Sequence, residues 1–250
     1  DGYFNDETER RRLWSSPVEA GVDEGKTPFY LLLVTLIKNP KDEKLQNLVE
    51  RVGGYFKDEK ERRSLWSRPA AGGLNKGKTP FYLLLVTLIK NPKDEKLQNS
   101  VGTVDGYFTD EKDKRALWSR PAEASEEEKG KTPFHLLLAG LSRHRNSEKL
   151  QNLVKMVDGY FISARERRDQ LWSFVINNAD NNSKKSLREL KKKLTSNLVT
   201  VSSRGSGMFQ GAKRKRPDVP SNIGSSVVPS HKKRNTRKLN YAISPKDCFV

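Results

Sequence analysis

The sequence predicts an all-α fold: an α-solenoid of tandem helical repeats of about 52 residues, followed by a disordered basic tail. Three observations carry that expectation. Gly25-Lys26-Thr27-Pro28-Phe29-Tyr30-Leu31-Leu32-Leu33 returns letter for letter at 77–85, and with histidine for tyrosine at 130–138. Thr-Pro pairs begin at Thr27, Thr79 and Thr132, so the unit recurs at a nearly fixed interval, as stacked arrays do. The four tryptophans, Trp14, Trp66, Trp118 and Trp172, fall one to a unit, each inside Leu-Trp-Ser. A residue used once per unit and nowhere else fills one slot of a repeated core, to which Thr27, Thr79, Thr132, Phe29, Phe81 and Phe134 are also assigned.

These landmarks divide the chain. It opens mid-unit at Asp1-Gly2-Tyr3-Phe4 without an initiator methionine, so residues 1–26 read as the end of a truncated repeat. Repeats follow at 27–78 and 79–131, and 132–180 holds a last repeat with a terminal capping segment. A basic helix or linker is expected at 181–200, and 201–250 as the tail.

Three helices per repeat fit the local signals. Thr27 stands as N-cap with Pro28 at the first helical position, where a missing N–H is harmless. The run from Phe29 to Ile37 is apolar almost all round, which requires neighbours on more than one side. Asn39-Pro40 repeats the cap-then-proline device, and Asp42 and Glu43 put negative charge in the next first turn. Leu45, Leu48, Val49 and Val52 then share one helical face, and Gly53-Gly54 stops that helix. A third helix runs from about Asp58 to Trp66. Glu59 and Arg63 pair at i and i+4, as do Glu7–Arg11 and Glu111–Arg115. Pro17, Pro69 and Pro121 close the third helices.

The repeats are unequal. Residues 25–47 and 77–99 are identical, as after a recent duplication. Beyond them, Ser100 stands where the first repeat has Leu48, taken here as a core position, and Gly102 costs about 1 kcal/mol of helix preference against alanine. That helix is expected to be the weakest. The last repeat drifts at Ala139-Gly140, and Phe174-Val175-Ile176 replaces the closing proline as a terminal cap would. Past the polar stretch 177–183, Leu187, Leu190, Leu194 and Leu198 follow helical spacing.

Thr132-Pro133-Phe134-His135-Leu136 resembles the Thr-Pro-Leu-His opening of an ankyrin repeat, and the 148–154 segment with Asp158-Gly159 resembles that family's second helix and closing turn. The resemblance covers about 30 residues of each unit; Tyr30 and Tyr82 replace the family histidine, and each unit is about 20 residues longer than an ankyrin repeat. The added segment, from Gly-Tyr-Phe to Leu-Trp-Ser, stands where ankyrin repeats carry a finger loop. The resemblance implies a divergent ankyrin-like scaffold for protein partners; another two- or three-helix solenoid is the alternative.

Charge separates the tail from the body. The chain carries a net +17, yet residues 181–250 alone hold 17 Lys/Arg against three Asp/Glu. Lys213-Arg214-Lys215-Arg216-Pro217 resembles a monopartite nuclear localisation signal: four cations in an extended segment, each able to reach its own acidic or aromatic subsite on an importin-type receptor. Lys232-Lys233-Arg234 forms a second cluster, with Arg237-Lys238 beyond it. Nucleic-acid contact by the tail is expected to be phosphate-driven and blind to sequence, since only Phe209 and Tyr241 lie near for stacking.

No catalytic constellation, cofactor motif or metal-ligand spacing is found. His135, His144 and His231 lack partner ligands at metal spacing, and Cys248 is the only cysteine, which points to a reducing compartment. Cys248 does not fit a prenylation box, though Cys248-Phe249-Val250 reads as a weak carboxyl-terminal ligand. Gly-Lys-Thr echoes a phosphate loop but lacks its upstream glycine and strand, and three copies argue for repeat capping. The longest apolar run, nine residues, is too short for a membrane span.

The expectation is therefore a non-catalytic interaction scaffold sent to the nucleus, or otherwise cytoplasmic. Its partner surface is the loop before Gly-Lys-Thr-Pro, at 18–24, 70–76 and 122–129, which varies while its flanks do not. The alternatives are a nucleic-acid-associated protein working through its tail, and a microbial ankyrin-type effector acting in a host cell.

Overall fold

The computed structural model describes residues 6–204 apart from 20, 22, 73, 74 and 124–128, with side chains through 196. Among the described residues run eleven α-helices and no β-strand. They are α1 (Glu7–Ser15), α2 (Pro28–Lys38), α3 (Glu43–Tyr55), α4 (Glu59–Ser67), α5 (Pro80–Lys90), α6 (Glu95–Gly106), α7 (Glu111–Ser119), α8 (Pro133–Arg143), α9 (Glu148–Tyr160), α10 (Arg165–Asn178) and α11 (Asn181–Arg204). All lie in one compact unit, Asp1–Gly207.

The expected caps form at α2, α5 and α8. Thr27, Thr79 and Thr132 accept from the backbone N–H three residues on, and a proline follows each at the first helical position. The next helix starts later than expected. Asn39 is the C-cap of α2, Pro40 sits in the turn, and Asp42 caps α3 by accepting from Lys44 and Leu45 N–H. The acid wins because its carboxylate reaches two free N–H groups at once, where Asn39 is already spent on the end of α2. Nor does Gly53-Gly54 stop α3, which runs on to Tyr55 with Phe56 as its C-cap.

Each repeat thus supplies three helices. α2 packs on α5 and α5 on α8, while α3 lies against α2 and α6. Within a repeat the first and third helices meet edge to face: Phe29 on Trp66 and Phe81 on Trp118, both at 4.9 Å, and Phe134 on Trp172 at 6.0 Å. These six rings are buried, whereas Trp14 is only half-buried. α5 realises the all-round apolar pattern, since Leu83 and Thr87 are buried between α2 and α8. In the identical α2 the matching Leu31 is half-buried and Thr35 exposed. Gly140 takes the place of Thr87 in α8 because the helices approach closely there: a Cβ would lie 2.7 Å from Ile89 Cγ1.

The second helices differ from expectation in their core. Val49 and Val52 are buried but Leu45 and Leu48 only half-buried, so Ser100 replaces a boundary leucine rather than a core one. Gln46, unremarked in the sequence, is buried; its amide donates to Pro40 O (2.9 Å) and across to Asp94 Oδ2 (2.7 Å). Ion pairs on the third helices also cross between repeats. Arg63 and Arg115 hold Glu59 and Glu111 as expected, but Arg11 reaches Glu61 (2.9 Å) and Glu7 meets Lys57. These pairs are exposed to solvent and add little to stability.

α10 and α11 pack on α8 and on each other. Val175 and Ile176 are buried and the Phe174 ring stacks on His135 at 4.3 Å. α11 lies on α8 and α10 through buried Leu187 and Leu194. It continues through Arg204, so residues 201–204, assigned above to the tail, are helical. Leu198 falls outside the described side chains.

His135 makes this end sensitive to acid. Its Nδ1 accepts from Thr132 N–H (3.2 Å), closing a reciprocal capping box, and burial, reinforced by the charge of Arg167, pushes its pKa down to about 4. The unfolded imidazole titrates near ~6.5. Between those values the unfolded chain binds a proton that the folded chain refuses, so stability is whole above pH 6.5 and falls as pH drops towards 4. Urea midpoints should show a loss of about 1–2 kcal/mol from pH 7 to 5. His135→Tyr, which restores the residue of the other two repeats, should remove most of that slope. An unchanged slope in the variant would overturn the assignment.

Candidate functional site

The residues singled out in the sequence fall into three groups. The first, Lys213, Arg214, Lys215, Arg216, Lys232, Lys233 and Arg234, lies outside the described residues, as do His231 and Cys248. The second is the row of Gly-Lys-Thr-Pro turns. The third is the aromatic core already described, to which the structure adds charged groups.

The turns stack on one another. In each, two backbone bonds pin the loop: Val18 N–H donates to Lys26 O (2.9 Å) and Gly25 N–H to Val18 O (2.8 Å), with the same pair at Ala70/Lys78 and Ala122/Lys131. Gly25, Gly77 and Gly130 have φ between 73° and 77°, the left-handed region. At two of them a second demand is added. A Cβ on Gly25 would sit 2.4 Å from Ala71 Cβ, and one on Gly77 only 2.5 Å from Glu123 N. Glu123 N–H donates to Lys76 O (3.1 Å), so one repeat's loop is bonded to the next. The Thr hydroxyls serve as helix caps and Lys26 Nζ is paired with Asp23 at 2.7 Å. That use fits repeat capping, as the three copies suggested. Of the variable stretches at 18–24, 70–76 and 122–129, residues 20, 22, 73, 74 and 124–128 lie outside the described set, and Ala70 and Ala122 are buried.

The charged groups form a node that sequence reasoning missed. Asp105, 3% exposed, accepts from Trp118 Nε1 (2.8 Å), from Lys114 Nζ (3.0 Å) and from Tyr160 Oη of the next repeat (2.7 Å). Burial and that bond to Asp105 both raise the Tyr160 pKa, so the phenol stays protonated and donates. One repeat on, Asp158 accepts from Trp172 Nε1 (2.7 Å) and from Arg168 Nε (2.7 Å), with Arg168 Nη2 on its other oxygen. Each acid ends a helix, where the macrodipole opposes negative charge, and the cation four residues before the tryptophan compensates. The signal was present in Asp-Gly-Tyr-Phe at 1–4, 105–108 and 158–161.

The first full repeat breaks the rule. Gly53 stands where Asp105 and Asp158 stand, and Trp66 Nε1 and Arg62 Nε are buried without a hydrogen-bond partner. A Cβ at Gly53 meets nothing closer than Trp66 Cζ2 at 3.9 Å, so a side chain fits. Gly53→Asp should therefore stabilise the protein by about 1–2 kcal/mol, through one restored bond and a better helix residue. Thermal unfolding reads this directly; a fall in midpoint would refute it.

Among the described residues no cluster of His, Cys, Asp or Glu is placed to hold a metal ion, and no helix is long and apolar enough to cross a membrane. In comparison with known proteins, no family model, no curated protein and no solved structure matches the chain.

Proposed function

We propose that the chain is an α-solenoid of ankyrin-like kind that serves as a non-catalytic protein-binding scaffold and is carried to the nucleus by its basic tail. The observation that carries the reading is the cross-repeat bonding of the Gly-Lys-Thr-Pro turns, with Glu123 N–H on Lys76 O. Such bonding ties the bases of successive variable loops together over an invariant frame, which supports reading them as a partner surface. The cross-repeat pairs of the third helices, Arg11–Glu61 and Arg63–Asp113 at 2.9 Å, favour a repeated stacking step in the same way. An importin-type receptor is the partner proposed for the tail.

The test follows a fusion of this chain to a large fluorescent protein in a eukaryotic cell. Wild type is expected in the nucleus, and the variant with Lys213, Arg214, Lys215 and Arg216 all changed to alanine in the cytoplasm. Equal distribution of the two would sink the import reading.

The charge of residues 181–250 favours one second reading, contact of the tail with nucleic-acid backbones. Binding of that kind weakens steeply as salt rises, whereas docking on the repeat surface depends on salt far less.

A further inference from the structure

We propose that the vacancy at Gly53 is a carboxylate-binding site. It does not depend on the scaffold reading. The chemistry is defined by the two filled copies of the same node, in which an indole N–H and a basic side chain converge on one carboxylate, joined at Asp105 by the tyrosine of the next repeat. At Gly53 the carboxylate is gone and its donors remain. Trp66, 3% exposed, keeps its indole N–H buried and unpartnered, with the Cζ2 edge facing the missing side chain. Arg62 lies four residues before Trp66, as Lys114 and Arg168 do before their tryptophans. Its Nη2 donates to Lys57 O (3.0 Å), its Nε is unpartnered, and its guanidinium lies 4.8 Å from the centre of the Tyr107 ring. Tyr107 is the counterpart of Tyr160.

The space is real. A cavity of about 400 Å³ lies elsewhere in the protein, but one of about 240 Å³ opens here, lined by Val49, Gly53, Trp66, Ser100, Thr103 and Tyr107. Three of these are smaller than their counterparts in other repeats: Gly53 for aspartate, Ser100 for Leu48 and Leu153, and Thr103 for Arg51 and Met156. Volume has been lost at one junction, beside Trp66 and Tyr107. Glu50 also lines the cavity, and its carboxylate is paired with Lys96 Nζ at 3.4 Å, which limits its repulsion of an anion. Both a small free carboxylate and an Asp or Glu side chain of a docked peptide present the required group.

Indole N–H signals of the four tryptophans in a proton–nitrogen correlation spectrum supply the test. Sodium acetate, and separately the blocked peptide acetyl-Gly-Asp-Gly-amide, is titrated at pH 7 against sodium chloride of equal ionic strength. The Trp66 signal should move downfield and saturate while those of Trp118 and Trp172, already bonded to carboxylates, stay. Gly53→Asp should weaken the response by about tenfold or more, because the protein's own carboxylate then fills the slot. Ser100→Leu, which fills the cavity without touching a donor, should weaken it too and serves should Gly53→Asp misfold. Response to acetate alone assigns the site to small anions, and a stronger response to the peptide assigns it to a partner's acidic side chain. No movement of Trp66 with either probe, or equal movement in sodium chloride, overturns the proposal.

Discussion

Asp158→Ala should cost about 3–5 kcal/mol, the largest loss expected from any single change in the last repeat. The aspartate is 2% exposed and the Arg168 it binds is 7% exposed, so removing the acid leaves a buried guanidinium and the buried Trp172 N–H without their acceptor. The figure is the cost of stranding a charge and does not measure what the pair contributes. A double variant separates the two: Asp158→Ala with Arg168→Leu removes both charges and should recover a good part of the loss. Urea unfolding followed by tryptophan fluorescence reads both. If the single variant loses under about 1 kcal/mol, α9 and α10 are not held as described. At Asp105 the same change should loosen two repeats at once, because its third donor, Tyr160, belongs to the next repeat.

Gly77→Ala should cost about 2–4 kcal/mol, for two separable reasons. Its φ of 77° is unfavourable for any side chain, and the new Cβ would stand 2.5 Å from the Glu123 backbone nitrogen. Backbone cannot swing away as a side chain can, so the bond from Glu123 N–H to Lys76 O must lengthen or break. Gly130→Ala is the control. It shares the φ of 77°, but a Cβ there meets no described atom within 4 Å, so only the conformational cost of about 1 kcal/mol is expected. Equal losses for the two variants would show that the contact between loops contributes nothing.

Much of the local structure was legible because its causes are local. Thr27 caps α2 whatever surrounds it, since a hydroxyl three residues from a free N–H needs no tertiary help. The Phe29 to Ile37 stripe announced a buried helix, and the single tryptophan per repeat announced a core slot that Trp66, Trp118 and Trp172 fill. Where two local signals competed, the reading failed. Asn39-Pro40 and Asp42 both looked like helix starts, and only the backbone path shows that the first ends α2 while the second begins α3.

The candidate site was harder to read, for a different reason. Asp105 stands 13 residues from Trp118 and 55 from Tyr160, and nothing in one repeat says that these three groups share a point. The exception at Gly53 could not be seen as a vacancy until the filled copies were known.

The sequence by itself determined the repeat, its period, its helices and the threonine caps of α2, α5 and α8, because a repeat is visible by comparison alone and capping acts over a few residues. Only the tertiary structure decided which copies of those identical segments are covered, as α5 is and α2 is not. It also decided which glycines a neighbouring loop presses upon and which buried donors have lost their acid. Those facts depend on what lies one repeat away in space, and identical stretches of chain cannot encode their different neighbours.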